Sequence, residues 1–450
     1  MPETVENTNE NILGTEKISK LIIKFSIPTI ITLIINNLYN MVDQIFIGQG
    51  VGMLGNGATN IIAPISTAAI ALSSLIGDGL ASFFSLHLGK NQPEKCAKSV
   101  GNAILMSIIV SVIITVPVII ALEPICLIFG ATEGIMPYAL DYGRIIVCGF
   151  PVLICSTVIN ASIRVDGSPR FAMVAMMVGA ILNMGLDPLF IFVFDWGVKG
   201  AAAATVIGQI INLIINIIYL FRYKNIKLNK HCFKLELKII GKILGFGFAS
   251  GLNALAGTII GLASNRLLTK YGAQSIYGEN IPITTFGLVM KVYMLLVSVS
   301  MGLAVGTQPI IGYNYGAGKN DRVKKAFFLA VGLTSIWQVL TFIIYESCPI
   351  FLIRIFGTES ALYEEFAVKC FRIYLMCSFL GGVQLCASTL FQALGKPIIA
   401  TIVSLTKNVI FFVPAMFILA YLIGLDGVLW AGMVADICAF LLSGTVALIS

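Results

Sequence analysis

Histidine is almost missing from this chain of 450 residues: only His87 and His231 are present, so a histidine-built metal site is not expected. Charge is scarce too, 11% against 58% hydrophobic residues, and the mean hydropathy is +0.94. That excludes a soluble domain and implies a polytopic membrane protein. No G-x-x-x-x-G-K-[ST] run occurs, which excludes a pump carrying its own ATP-binding loop. The ten cysteines include no C-x-x-C pair and most lie in apolar runs, so reduced thiols packed as small hydrophobes are expected. Residues 1–16 lack the basic and apolar regions of a cleaved leader and are expected to form a disordered cytoplasmic tail.

What the sequence has in abundance is apolar runs. At about 20 residues per crossing they divide into twelve predicted helices, near 20–47, 58–88, 99–121, 138–163, 169–194, 199–222, 238–268, 281–313, 324–346, 364–391, 398–420 and 425–449. The net charge of +7 comes from Lys and Arg concentrated in alternate loops, including Lys90, Lys95 and Lys98, then Arg222 to Lys242, then Lys319 to Lys325. Such a distribution sets topology and does not point to nucleic acid; it predicts both termini in the cytoplasm of a cell-membrane protein.

The two halves repeat. Phe129-Gly-Ala-Thr-Glu133 returns as Phe356-Gly-Thr-Glu359 about 227 residues later, Gly89-Lys-Asn91 as Gly318-Lys-Asn320, Gly167-Ser-Pro169 as Gly395-Lys-Pro397, and Asp195-Trp-Gly-Val198 as Leu425-Asp-Gly-Val428. Six helices per half keep both halves in one orientation, so the predicted fold is an all-α integral membrane protein of twelve helices in two parallel six-helix lobes around a central cleft. The corresponding division is a cytoplasmic tail over 1–19, lobes over 20–222 and 238–450, and a basic cytoplasmic linker over 223–237.

The candidate chemistry lies in the first lobe. Asn183 and Asp187 share a helical face at bilayer depth, and Pro188 leaves the Met184 carbonyl without its helical donor. A carboxylate there costs about 2.5–3.5 kcal/mol, which marks a functional site. Asn36, Asn40 and Asp43 make one polar face on the first helix, where Pro28 predicts a bend. Thr205, Gln209, Asn212 and Asn216 stripe the sixth, and Ser156 and Asn160 mark the fourth. Interhelical hydrogen bonding serves Gln209 and Asn212 equally well. Asp43 and Asp187, converging without a basic neighbour in sequence, resist being charged together; the pair suits H⁺, and with the nearby amide, hydroxyl and carbonyl oxygens it equally suits Na⁺. The second half has no such acids. Its mid-span charges are Lys291, Lys407 and Asp436, the lysines either pairing with the acid or lining a wet cavity, and Gln384 belongs to a stripe that faces the cleft. Asp78 has no assigned role.

The span from about Lys20 to Ser450 resembles the multidrug and toxin extrusion (MATE) family. Tyr39-Asn-Met-Val-Asp43-Gln-Ile-Phe-Ile-Gly48 is similar to its first-helix pattern, and Pro309-Ile-Ile-Gly-Tyr-Asn-Tyr-Gly-Ala-Gly-Lys319 to its pattern at the end of the eighth helix. The resemblance implies no enzyme and no cofactor, but a monomeric antiporter that exports small amphipathic, often cationic, compounds against H⁺ or Na⁺. It also implies a cation site at Asp43, Asp187, Asn183, Asn160 and Thr205. Asn36, Tyr39, Asn40, Gln209, Lys291 and Gln384 are the substrate-cleft candidates. The rival reading within the same superfamily is a flippase for lipid-linked cell-wall or polysaccharide precursors, which calls for several cleft Arg or Lys to hold pyrophosphate. No arginine is placed at mid-span here.

Overall fold

A computed structural model describes residues 11–356 and 360–449, and these residues are almost entirely helical. Eleven single helices are long and apolar enough to cross a bilayer, and a bent pair makes the twelfth crossing. In chain order they are α1 (Ile18–Gly50), α2 (Met53–Gly89), α3 (Pro93–Ile120), α4 (Met136–Cys148 with Phe150–Val165), α5 (Pro169–Val193) and α6 (Gly197–Leu220). The second half supplies α7 (Leu237–Gly272), α8 (Asn280–Gly316), α9 (Asn320–Ser347), α10 (Ala361–Ala393), α11 (Pro397–Ile423) and α12 (Leu425–Ala447). Helices are the expected answer because hydrocarbon offers backbone groups no water, and a helix satisfies them within its own segment.

Irregularities fall where the sequence removes a donor. The 44° bend of α4 precedes Pro151, which has no N–H to give. In α5 the α-helix ends at Pro188 and widens into a π-helical turn, Leu189–Val193. α11 has a corresponding π-helical stretch, Thr406–Phe412, just before Pro414. α1 stays helical through Pro28, with the Thr29 and Thr32 hydroxyls donating to the carbonyls of Phe25 and Pro28.

The lobes meet by a reciprocal arrangement: α1 packs along α8, and α7 packs along α2. The first helix of each half thus lies on the second helix of the other, as parallel repeats require. Helix ends refine the register seen in the sequence. α2 stops at Gly89 and α8 at Gly316, so the left-handed turn residues Asn91 (φ 55°) and Gly318 (φ 72°) correspond, two positions away from the Gly-Lys-Asn match. The Phe356 to Glu359 marker falls largely outside the described residues.

On the face of the basic loops the lobes touch backbone to backbone. A Cβ on Gly79 would collide with the Ile243 carbonyl, and one on Gly247 with the Leu75 carbonyl. Gly79→Val is therefore expected to cost about 1–3 kcal/mol. Thermal unfolding in detergent checks this, with Gly245→Ala, where nothing lies within 4 Å, as the neutral control. Equal melting of the two variants would contradict the contact.

The expectation of a disordered tail over 1–16 is corrected for the part that the structure describes. Asn11 caps a short helix, Ile12–Thr15, and Leu13 is buried beside α1 and α8. Asn314 donates to the Leu13 carbonyl at 2.9 Å, and Arg322 to the Glu16 carbonyl at 2.6 Å. Asn11 also bonds Asn225 of the linker at 2.8 Å. Asn225 in turn is held by Asp166 at the end of α4. Burial pushes the Asp166 carboxyl above its ordinary value, against the hydrogen bonds from Tyr219, Lys224 and Asn225 that pull it down. The segment is ordered because an apolar side chain and several backbone carbonyls find partners on the C-terminal lobe.

Candidate cation site and inter-lobe cleft

Three helices of the first lobe bring the site together. The wound turn of α5 stacks Asn183 over Asp187, and the Asn183 amide donates to Asp187 Oδ1 at 3.2 Å and to Thr205 Oγ1 of α6 at 3.3 Å. From α1 the Asp43 carboxyl lies against Asp187, close enough for the two acids to act on each other. All three α1 and α5 groups are withdrawn from solvent: Asp187 is 0% exposed, Asn183 2% and Asp43 8%. Asp43 Oδ1, Asn183 Oδ1 and Asp187 Oδ2 are buried without a hydrogen-bond partner. Buried oxygens left open in this way are costly unless a proton or cation joins them. Neither carboxylate has an ion-pair partner among the described residues, whereas the other acids at depth do.

The remaining sequence candidates divide. Tyr39, one turn before Asp43, lies beside it. Tyr142 of α4 approaches Tyr39 and both carboxylates, a contribution that no spacing on α1 or α5 announces. Asn160 is not brought to the pair; its amide donates to the Ala172 carbonyl at 3.0 Å and ties α4 to α5. Asn216 bonds Ser156 and Asn212, so that part of the α6 stripe joins helices within the lobe, while Gln209 is half-buried on the same helix. Gln384 is turned away from the cleft: its amide donates to the Val403 and Ser404 carbonyls of α11.

The charged residues left open by the sequence also separate. Lys407, on the π-helical stretch of α11, pairs with Asp436 at 2.7 Å and bonds the Tyr293 hydroxyl at 3.2 Å. Asp78 pairs with Arg164 at 3.7 Å. Lys291 does neither. It lines a cleft of about 270 Å³ between α1 and α8, with Asn37, Asn40, Met41, Gln44, Met290 and Met294. Asn40 also donates to the Asn36 carbonyl at 2.6 Å.

Two parallel six-helix lobes around a cleft form the architecture of a secondary transporter. A family model described as MatE matches residues 28–189 and 279–418, and the chain belongs to that family. Among curated proteins it is 26% identical over 442 residues to the multidrug export protein MepA of Staphylococcus saprophyticus, covering 96% of this chain and 94% of that one. Among solved structures it is 32% identical to the MATE multidrug transporter DinF-BH, determined in a ligand complex, with a TM-score of 0.90 and 97% of each chain covered. An outward-facing MATE family transporter of the MOP superfamily superposes equally well, with a TM-score of 0.90 over 97% of this chain and 96% of that one. Its 23% identity makes that a likeness of fold.

Proposed function

We propose that this chain is a multidrug exporter of the cell membrane that moves amphipathic, often cationic, organic compounds outward by antiport with H⁺ or Na⁺. The observation that carries the reading is the Asp43–Asp187 pair, buried with Asn183 and Thr205, open at three oxygens and free of any cationic side-chain partner among the described residues. A desolvated pair of acids takes up a cation from one side and releases it when the surroundings change. Rocking of the two lobes about the α1/α8 and α2/α7 contacts alternates access to the cleft. The excess of Lys and Arg in alternate loops supports cytoplasmic termini. The flippase reading is weakened because Lys407 is already paired, which leaves one lysine in the cleft where a pyrophosphate calls for several cations.

The test is reconstitution into liposomes with a fluorescent organic cation and an imposed ΔpH or Na⁺ gradient. One of the two gradients is expected to drive the dye against its own gradient and so identify the coupling ion. Equal flux with both gradients absent or present would overturn the proposal.

A further inference from the structure

The cleft carries a charge that the coupling site does not use. Lys291 is the twelfth residue of the 37-residue α8, about 17 Å along the helix from its start at Asn280 and about 10 Å short of the helix midpoint. Its side chain is exposed to the open space of the cleft and is not sealed among packed helices. Two cationic side chains that are withdrawn among the helices, Arg164 and Lys407, have carboxylates at 3.7 and 2.7 Å. Lys291 has no ion pair among the described residues, and its side chain opens into the inter-lobe cleft.

The walls around it are matched to a particular chemistry. Asn40 and Gln44 of α1 place amide groups in the same cleft, able to hydrogen-bond an anionic oxygen. Met41, Met290 and Met294 supply polarizable, adaptable apolar surface. Asp43 projects from the adjacent face of α1 into the first lobe, towards Asp187, so the acids lie behind this wall and not in it. The cleft therefore presents one uncompensated positive charge, amides and methionines.

Resting on the exporter reading of the same cleft, we propose that Lys291 receives the carboxylate of the substrate, so that the preferred cargo is an amphipathic compound bearing a carboxylate, zwitterions included. A substrate carboxylate pairs with the lysine ammonium, while its apolar body rests on the methionines. Esterification removes the charge and leaves the body unchanged.

Rhodamine B and its ethyl ester make that comparison, with fluorescence anisotropy reporting equilibrium binding to the purified full-length protein in detergent. The free acid is expected to bind about tenfold more tightly than the ester. In Lys291→Met the preference should shrink to about twofold or less with ester binding retained, and Lys291→Arg should keep most of it. Retained ester binding also reports that the variant is folded. Tighter or equal binding of the ester by the unaltered protein, or an acid preference that survives Lys291→Met, would overturn the proposal. Displacement of the acid by short-chain phosphatidylglycerol, but not by excess unlabelled acid of another amphiphile, would assign the lysine to a lipid phosphate and overturn it as well. Gradient-driven efflux of the ester is read separately in liposomes: its loss in the unaltered protein counts against antiport, whatever the acid-to-ester ratio of binding.

Discussion

Asp187→Asn is expected to lower gradient-driven efflux to the level of protein-free liposomes while leaving the protein folded. Asparagine has nearly the same shape and keeps an oxygen to accept the 3.2 Å hydrogen bond from Asn183. What it loses is the second carboxylate oxygen, which is buried without a partner, and with it the capacity to bind H⁺ or Na⁺. Stability should change little or rise, because an amide at a fully buried position carries no charge to desolvate. Dye binding measured without a gradient should persist, since the cleft residues lie on other faces. Asn183→Ala should be milder, at about 0.5–1.5 kcal/mol for each hydrogen bond removed, because it supports the acids and does not carry the charge. Normal efflux by Asp187→Asn would sink the mechanism.

The second large effect belongs to the other lobe and is one of stability. Asp436→Lys places two ammonium groups where one ion pair now spans 2.7 Å, with Asp436 only 4% exposed. Breaking a buried pair from one side costs about 3–5 kcal/mol, a large share of the stability of any protein. Expression in the membrane fraction is therefore expected to fall much further for Asp436→Lys than for Asp43→Asn, which removes a charge that has no cationic partner. A charge swap, Lys407→Asp with Asp436→Lys, should recover part of the yield, limited by loss of the Lys407 bond to Tyr293. Equal yields of the two single variants would show that the pair is not a structural element.

The contrast between these two acids shows why a buried charge in a membrane helix has to be judged by its neighbours. Asp436 faces a lysine and is spent on packing. Asp187 faces another acid and an amide, with open oxygens. In sequence both are single carboxylates in apolar runs, and insertion cost alone treats them alike.

Much of the architecture was legible in the sequence because membrane helices are local structures. Each apolar run satisfies its own backbone, so run lengths predict twelve crossings, and the repeated turns predict two parallel halves. The same locality makes Asn183 and Asp187 neighbours, since residues four apart on one helix share a face whatever surrounds them. It also makes Pro188 a break, although not the form of that break, the π-helical turn Leu189–Val193.

Only the tertiary structure decided which side chains meet between helices. It joined Asp43 to Asp187 and added Tyr142, it turned Asn160 to the Ala172 carbonyl and Gln384 to α11, and it paired Asp436 with Lys407 while leaving Lys291 in the cleft. It also drew residues 11–16 onto the C-terminal lobe. The physical reason is that rise and turn within a helix follow from covalent geometry and backbone hydrogen bonds, which the sequence carries in every segment. Partners across helices depend on how each rod is rotated, tilted and approached, and those are set by the packing of the whole bundle at contacts such as Gly79 on Ile243.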